Sequence, residues 1–423
     1  MHEKHLRIVG AGWAGLSAAV AATQDGWHIH LYDTAHVAGG RARSLAQHAS
    51  GHPLDNGQHV LIGAYRDTLS LMRTVGLDPE ALLQRIPLNL RFADGQGLAL
   101  PHLPQPWNVL AGIAQARGWH WLDKISLLTA CWQWQRQGFT CPAAWTVIQL
   151  CAHHKLTHRV VQQLIEPLCL SALNTSVEQA SALVFLRVLR DAIQGGPGSA
   201  DLLIPTTDLS ALFPHACLAW LAERGARIHL GQRITAAHLQ SPKFQPNANQ
   251  VVILACPAWE AARLTQDTHP AWSRQASLLS HAAITTVYLH CTAANFQGLP
   301  HPMLALHTHA TQPAQFVFDR SALTGQPGLL ACVVSASQGE REDLAQRVQQ
   351  QVTHQLGLTH LHIIQTVVEK RATLSCTPGQ IRPEASIAPS LYACGDYVQG
   401  PYPSTLEGAV RSGQQVVTQL RHL

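Results

Sequence analysis

The sequence of 423 residues has few charged residues, since Asp, Glu, Lys and Arg make up only 13% of it, about half the usual share. Its 29 basic residues form no run of Lys or Arg, and the net charge is only +4, so nucleic acid is not a predicted partner. Hydrophobic residues reach 46%, which provides a large core and leaves some apolar surface.

Other absences exclude further classes of protein. No uninterrupted apolar stretch reaches the roughly 18 residues of a membrane span, and the N-terminal MHEKHLRIVG has no apolar signal region, so we expect a cytoplasmic protein. The 10 cysteines contain no C-x-x-C pair, which argues against a zinc ribbon or a disulfide framework. The 26 histidines contain no H-E-x-x-H, so no metal site is predicted.

The segment LRIVGAGWAGLSAAVAATQDGWHIHLYD is typical of a strand, a glycine turn, a helix and a second strand. Gly10, Gly12 and Gly15 have the spacing G-x-G-x-x-G, in which they permit a tight turn, close approach of a pyrophosphate and close helix packing. Asp33 ends the second strand, where a carboxylate would bind a ribose diol. The pattern predicts a dinucleotide site on a helix N-terminus; the alternative is a glycine turn in an unrelated α/β protein.

A second glycine turn follows in HVAGGRARS, with Gly39 and Gly40 before Arg41. Such a turn favours a flavin dinucleotide over NAD, because Arg41 could contact the pyrophosphate with two hydrogen bonds. The alternative is a basic loop that faces solvent.

Asp55, Asn56, Gly57, Gln58 and His59 interrupt the otherwise apolar stretch PLDNGQHVLIGAY. Buried polar groups need partners, and a ligand could supply them. We predict that His59, oriented by Asp55, donates a proton, since histidine suits this role near neutral pH. A core histidine with satisfied hydrogen bonds, or one that holds the cofactor, is the alternative.

The C-terminal segment SLYACGDYVQGPYPSTLEGAVRSG returns to an αβ pattern. A strand ends at Gly395 and Asp396, and Ser404-Thr405-Leu406-Glu407 is typical of a capping box that begins a helix. A helix N-terminus there would stabilise the anionic N1 and O2 region of a reduced flavin by about 0.3 to 2 kcal/mol. An ordinary capped helix is the alternative.

The segments VGAGWAGLSAA, AGGRARS, DNGQHVLIG, VVILACP and ACGDYVQGPYPSTLEGAVRSG resemble the amine oxidase and phytoene desaturase superfamily of FAD enzymes. Among them, DNGQHVLIG and PSTLEGAVRSG most resemble the bacterial squalene-associated FAD-dependent desaturases, also called hydroxysqualene dehydroxylases. The resemblance implies an α/β fold with a Rossmann-type FAD-binding domain assembled from discontinuous segments, and an α+β substrate domain. The FAD-binding residues it implies are Gly10, Gly12, Gly15, Asp33, Gly39, Gly40, Arg41, Gly395 and Asp396. We add Gly57, Ser404 and Thr405 to the predicted cofactor site. Asp33 departs from the pattern, because members more often have Glu there.

Changes in composition predict the boundaries of these domains. The FAD-binding domain comprises 1–90, 199–265 and 385–423, and the region 91–198 is helical and rich in Pro and Trp. The region 266–384 alternates like β-strands and is expected to form the sheet of the substrate domain.

The resemblance implies a reaction in which the hydroxyl of hydroxysqualene is removed reductively to give squalene, the precursor of hopanoids, with reduced FAD as hydride donor. The alcohol is allylic, so loss of water gives a delocalised cation. A carotenoid-type desaturase or an amine oxidase of the same superfamily remains an alternative, although the sequence has only five lysines and none lies in a flavin motif. A prenyl-lipid carrier without redox chemistry is a third alternative. The resemblance is compatible with contact between this protein and other squalene-pathway enzymes. The sequence does not indicate which electron donor reduces FAD.

Six tryptophans and three cations lie close together in the helical region: Trp107, Trp119, Trp121, Trp132, Trp134 and Trp145, with Arg117, Lys124 and Arg136. Tryptophan favours the lipid headgroup boundary, and long cationic side chains extend toward anionic lipid. We therefore predict peripheral association with the inner face of the cell membrane, through which a lipophilic triterpene would enter. The alternative is that these tryptophans form a core.

Overall fold

The computed structural model describes residues 4–45, 51–245, 250–325 and 327–421. The strands in these residues are β1 His5–Val9, β2 His28–Tyr32, β3 Leu61–Ile62, β4 Leu83–Ile86, β5 Asn89–Arg91, β6 Gly97–Ala99, β7 Leu202–Pro205, β8 Arg227–His229, β9 Gln250–Leu254, β10 His281–Cys291, β11 Met303–Ala305, β12 Phe316–Asp319, β13 Leu329–Ser335, β14 Leu361–Leu374, β15 Ser386–Ala388 and β16 Leu391–Ala393.

Helices connect and cover these strands. They are α1 Trp13–Gln24, α2 Arg66–Thr74, α3 Pro79–Leu82, α4 Trp107–Ala114, α5 Trp121–Arg136, α6 Val147–His153, α7 His158–Val160, α8 Glu166–Leu173, α9 Ala182–Gln194, α10 Leu209–Leu212, α11 Pro214–Glu223, α12 Ala236–Gln240, α13 Ala258–Thr265, α14 Pro270–Ser277, α15 Ser321–Thr324, α16 Arg341–Leu356 and α17 Leu406–Leu420. A π-helical turn, Val161–Ile165, joins α7 to α8.

A six-stranded sheet with the order β15-β16-β9-β1-β2-β8 organises the first glycine turn. The strands β16, β9, β1, β2 and β8 run parallel to one another, and β15 is an antiparallel edge strand. These strands come from the beginning, the middle and the end of the chain. The predicted Rossmann-type sheet built from discontinuous segments is thereby confirmed.

Small residues let the N-terminal and C-terminal helices pack closely against each other. In α1, Ala and Gly dominate a helix whose residues are almost all buried. A Cβ built on Gly413 of α17 would lie 2.3 Å from the carbonyl oxygen of Ala14, and the Ser17 hydroxyl donates to the Val410 carbonyl at 2.9 Å. The end of the chain therefore closes onto its beginning, which brings the C-terminal turn beside the first glycine turn.

A five-stranded antiparallel sheet, β11-β12-β13-β10-β14, lies in the region 266–384 where alternation predicted strands. One face of this sheet packs on α16 through residues such as Val287, Cys332 and Val348. The other face points toward the FAD-type sheet and forms part of the site described below.

The tryptophans of the helical region differ in burial, and Trp145 is half-buried against the core. Trp119 and Trp134 are buried in the core that also contains Leu127 and Phe185. Trp107, Trp121 and Trp132 are exposed, on α4 and α5. The prediction that the whole cluster forms a docking surface is therefore wrong for Trp119 and Trp134, because their side chains face the inner side of this layer.

Within the described ranges, no helix is both long enough and apolar enough to cross a membrane. In the same ranges, no group of His, Cys, Asp or Glu has the arrangement of a metal site. Each of the ten cysteines is a free thiol, and most are buried.

Candidate active site

A cavity of about 590 Å³ lies between the carboxyl end of the parallel sheet and the free face of the five-stranded sheet. Parallel sheets bind ligands at this end, because the loops that follow the strands converge there. Most of the predicted site residues lie on its wall. Asp55 and Gly15 are not among the described residues that line it.

The three glycines of the first turn have different physical roles. Gly10 has a φ of +119°, and a Cβ there would lie 2.5 Å from the Ala255 carbonyl oxygen. A Cβ on Gly15 would lie 1.9 Å from the Gly10 carbonyl oxygen, so both positions require glycine for packing. Gly12 has an extended backbone, and its nearest neighbour would be the Gly40 Cα at 3.8 Å. The fold itself therefore does not require glycine at position 12, where the backbone without a side chain forms part of the cavity wall.

Asp33 lies at the carboxyl end of β2, on the cavity wall. Its Oδ2 accepts a hydrogen bond from the Ala11 N–H at 2.6 Å, and its Oδ1 accepts one from the Ala35 N–H at 2.7 Å. These bonds fix the carboxylate beside the glycine turn. Each oxygen keeps a second lone pair for a ribose hydroxyl, so the predicted contact fits the geometry.

The second glycine turn packs directly against the first, since the Gly39 N–H donates to the Ala11 carbonyl at 2.8 Å. Gly39 and Gly40 both have positive φ, of +111° and +61°. The turn carries Arg41 to the wall, where its Nη2 lies 2.5 Å from Oδ1 of Asp396 and its Nη1 donates to the Ala372 carbonyl at 2.6 Å. Two predicted cofactor residues therefore contact each other.

The C-terminal turn completes this half of the cavity. Gly395 has a φ of +153°, and its N–H donates to the Ser412 hydroxyl at 2.8 Å. Ser404 and Thr405 also line the cavity, with the Ser404 hydroxyl accepting from the Leu374 N–H at 3.0 Å. Thr405 is the N-cap of α17, since its hydroxyl accepts from the Gly408 N–H.

The predicted capping box is wrong in two respects, and the first is that Thr405 and not Ser404 is the N-cap. Glu407 does not return to its own helix terminus. Its buried carboxylate accepts from the backbone N–H and the hydroxyl of Thr68, at 2.9 and 2.7 Å, in the first turn of α2. The contact with Thr68 therefore occupies the Glu407 carboxylate, which the predicted capping box assigned to the N-terminus of α17.

The segment from Asp55 to His59 places the two predicted catalytic residues in different surroundings. Gly57 and His59 line the cavity, whereas Asp55 is buried behind it. The Asp55 carboxylate accepts from Nη2 of Arg320 at 2.7 Å and from the Leu209 N–H at 3.0 Å. Burial raises the pKa of Asp55, and the Arg320 guanidinium opposes this shift.

Arg320 also holds the next part of this segment, since its Nη1 donates to Oε1 of Gln58 at 2.8 Å. The Gln58 amide nitrogen in turn donates to the Tyr288 hydroxyl at 3.2 Å, and that hydroxyl donates to the Asp55 carbonyl at 2.9 Å. No hydrogen bond joins Asp55 to His59 in the described part of the chain. The structure therefore does not bring these two predicted catalytic residues together, and Arg320, which sequence reasoning missed, is the partner of Asp55.

His59 faces the cavity beside Arg41. Burial, and to a smaller extent the charge of Arg41, lower the pKa of His59 to about 4. The imidazole is therefore neutral at pH 7 and offers one N–H donor and one acceptor. Its role as proton donor stays a prediction.

Two buried tyrosine hydroxyls on the cavity wall lack a hydrogen-bond partner in the described residues, those of Tyr32 and Tyr397. Buried polar groups are normally paired, so each points to a ligand that carries polar groups. Tyr32 is the last residue of β2, and Tyr397 lies in the turn that follows β16. Neither was identified from the sequence, because an isolated tyrosine at a strand end has no distinctive spacing.

The half of the cavity formed by the five-stranded sheet is mainly apolar. Its wall includes Ile284, Phe316, Phe318, Val333 and Val367. The sequence predicted strands here but did not identify the lining residues, since alternation alone does not tell which face meets a ligand.

A cavity that joins two glycine turns, a carboxylate and unpaired hydroxyls to an apolar wall defines the class of flavoproteins that bind a dinucleotide at a parallel sheet. Residues 13–421 match the flavin containing amine oxidoreductase family, and the chain belongs to that family. It is an FAD-dependent oxidoreductase, and FAD is its cofactor.

Similar proteins cover the chain almost completely. A hydroxysqualene dehydroxylase of Zymomonas mobilis is 27% identical over 438 residues, covering 96% of this chain and 96% of that protein. A hydroxysqualene dehydroxylase of Rhodopseudomonas palustris is 27% identical over 433 residues, covering 98% of this chain and 97% of that protein. The crystal structure of an oxidoreductase from Methanosarcina mazei has a TM-score of 0.70 at 14% identity, covering 98% of this chain and 100% of that chain, and supports the fold.

The predicted residues fit FAD. Gly12 leaves room for a pyrophosphate at the N-terminus of α1, and Asp33 is placed for a ribose. Arg41, Asp396 and the N-terminus of α17 lie farther along the same cavity. Their individual contacts with the cofactor remain predictions.

Proposed function

We propose that the protein removes the hydroxyl group of hydroxysqualene to give squalene. The observation that supports this most directly is the single cavity that joins the dinucleotide turns to an apolar sheet face. A hydrocarbon chain fits the apolar part of this face, which Phe316, Val333 and Val367 form. Both relatives described above carry the name of this activity along nearly the whole chain.

The reaction consumes one hydride and one proton and releases one water. The C–O bond of the allylic alcohol breaks, the oxygen leaves as water with the added proton, and the carbon forms a new C–H bond. When bound and reduced, FAD supplies the hydride. The apolar wall around Phe316, Val333 and Val367 keeps water from the allylic cation, which water would convert back to the alcohol.

We propose His59 as the group that meets the leaving hydroxyl. It lies on the wall between the parallel sheet and the apolar face, with its neighbours Gly57 and Gln58. As a neutral imidazole it donates an N–H hydrogen bond, and in its protonated form it acts as a general acid. Arg320 holds Asp55 and Gln58, and thus the backbone that carries His59.

We also propose that α4 and α5 rest on the membrane surface from which the substrate comes. On α5, Trp121, Ile125, Leu128 and Trp132 are exposed at helical spacing, so they form one apolar stripe on the solvent side. The opposite side of the same helix is buried in the core.

The residues around this stripe favour lipid as its occupant. The Arg136 guanidinium lies 4.7 Å from the centroid of the Trp132 ring, which places a cation at the edge of the stripe. Trp107 on α4 adds a third indole that is 63% exposed. Indoles with flanking cations are typical of the headgroup boundary, and the proposed substrate is itself a membrane hydrocarbon.

Product analysis under anaerobic conditions tests the proposed reaction. The holoenzyme is reduced chemically, mixed with hydroxysqualene in detergent micelles, and extracted. We expect about one squalene per reduced flavin, with the flavin reoxidised. If the oxidised enzyme instead introduces double bonds into a hydrocarbon while the reduced enzyme gives no squalene, the protein is a desaturase and the proposal fails.

A further inference from the structure

A row of four side chains crosses the middle of the five-stranded sheet and faces the cavity. The register places Phe316 opposite Val333, Val333 opposite Thr286, and Thr286 opposite Val367. All four line the cavity, and Thr286 is the one polar side chain among them. Side chains directly opposite in antiparallel strands are close neighbours, so apolar groups flank the hydroxyl on both sides.

The Thr286 hydroxyl has no hydrogen-bond partner anywhere in the ranges that the structure describes. The residue is buried, with only 1% of its surface exposed. Its hydroxyl faces the Gly57 backbone, since a Cβ built on Gly57 would lie 3.8 Å from Thr286 Oγ1. The space between the two is part of the cavity. The hydroxyl is open to the cavity and has no partner in the part of the protein that the structure describes, so this position is expected to receive a hydrogen-bonding ligand group.

The neighbouring Thr285 shows that only the hydroxyl on the cavity face of the sheet lacks a partner among the described residues. Thr285 points to the opposite side of the sheet, where its hydroxyl donates to the Ser337 hydroxyl at 2.9 Å. Both threonines are buried in the same strand. One hydroxyl is satisfied within the protein and the other is directed into the cavity.

The surroundings of Thr286 define the chemistry of the group it would bind. With Phe316, Val333 and Val367 around it, the hydroxyl can pair with one isolated polar atom on a molecule that is otherwise hydrocarbon. Within this row a charged ligand group would find no charged partner.

We propose that Thr286 binds the hydroxyl group of the substrate and makes the enzyme prefer the alcohol over the hydrocarbon that it forms. The inference rests on the proposed function, because it takes a long hydrocarbon alcohol as the substrate. Thr286 accepts from or donates to the alcohol, and the product lacks this partner. The product therefore leaves the hydroxyl unpaired, which favours its release.

Binding to the oxidised holoenzyme tests this without turnover, since no hydride is available in that state. Hydroxysqualene and squalene are titrated separately in mixed micelles, and binding is followed by the change in flavin absorbance. In Thr286→Val, which keeps the branched shape, we expect the affinity for hydroxysqualene to fall about tenfold while the affinity for squalene stays the same. Thr286→Ser, which keeps a hydroxyl, should retain the preference, and Thr285→Val is the matched control on the other face.

Three outcomes would overturn the inference. They are an equal loss of affinity for both ligands in Thr286→Val, an unchanged preference in that variant, and a loss of FAD affinity, which would assign the hydroxyl to the cofactor. The reaction is tested separately in the reduced enzyme. Wild-type protein that prefers the alcohol in a Thr286-dependent way but forms no squalene would refute the proposed function and leave the inference about Thr286 intact.

Discussion

Arg41 and Asp396 lie 355 residues apart in the sequence and form an ion pair of 2.5 Å on the wall of the cavity. The pair joins the second glycine turn to the C-terminal turn, so one contact fixes two of the segments expected to bind FAD. A guanidinium that is already oriented by a carboxylate needs little reorganisation to contact a phosphate.

Removal of Arg41 should therefore weaken FAD binding. We expect Arg41→Gln to raise the FAD dissociation constant about tenfold or more, as measured by reconstitution of the apoprotein. Arg421→Gln removes an exposed ion pair with Asp25 at 2.8 Å and serves as control. Equal FAD affinity in the two variants would show that Arg41 has no part in the cofactor site.

The first glycine turn allows a separation of fold from binding. Gly12→Val should abolish FAD binding and leave the melting temperature of the apoprotein nearly unchanged, because Gly12 has an extended backbone and space around it. Gly15→Ala should instead prevent correct folding, because its Cβ would meet the Gly10 carbonyl at 1.9 Å. Circular dichroism and flavin content measure both effects. A Gly12→Val variant that purifies with full FAD would contradict the phosphate assignment.

The lowered pKa of His59 gives its proposed role a pH signature. With a pKa of about 4, the protonated fraction falls about tenfold for each pH unit above that value. If protonated His59 is the acid, single-turnover dehydroxylation should therefore become faster as the pH is lowered from about 8 to 5. His59→Gln should lose this slope and react about a hundredfold more slowly with FAD retained. His153→Gln, at an exposed position, is the control, and a slope that persists in His59→Gln would remove His59 from the mechanism.

Asp55 should prove essential for stability. Asp55→Asn leaves the buried Arg320 without a charged partner, and we expect a loss of about 3 to 5 kcal/mol in the free energy of unfolding. Asp94→Asn, which breaks an exposed contact with His307, should cost about 1 kcal/mol or less. Urea denaturation compares the two. A stable Asp55→Asn protein with an altered pH profile would restore the idea that Asp55 orients His59.

The proposed membrane contact depends on exposed indoles only. Trp121→Ser combined with Trp132→Ser should reduce sedimentation with anionic liposomes about tenfold and leave the melting temperature nearly unchanged. Trp119→Ser should lower the melting temperature instead, since it removes a buried indole and its 2.8 Å hydrogen bond to Gln163. Full liposome binding by the double variant would exclude this stripe as the docking surface.

The sequence by itself determined the cofactor half of the protein. Strand, glycine turn and helix are local patterns, and Gly15 is required by an atom of its own turn, the Gly10 carbonyl oxygen. Gly10 combines a local cause, its positive φ, with a distant one, the Ala255 carbonyl oxygen. Local pattern also accounts for the strands β10, β12 and β13, which lie in the region 266–384 where alternation predicted a sheet. Spacing therefore predicted a dinucleotide site with a second turn that favours a flavin, and the resemblance to the amine oxidase and phytoene desaturase superfamily implied FAD and the class of fold.

Only the tertiary structure decided which polar residues meet. Glu407 caps α2 and not its own helix, and Asp55 pairs with Arg320, 265 residues away, and not with His59. Likewise, α5 buries Trp134 and exposes Trp132, although the two are separated by a single residue. These outcomes depend on the direction of side chains from elements that are distant in sequence. A polar residue takes whichever buried partner the packing provides, and spacing along the chain does not contain that choice.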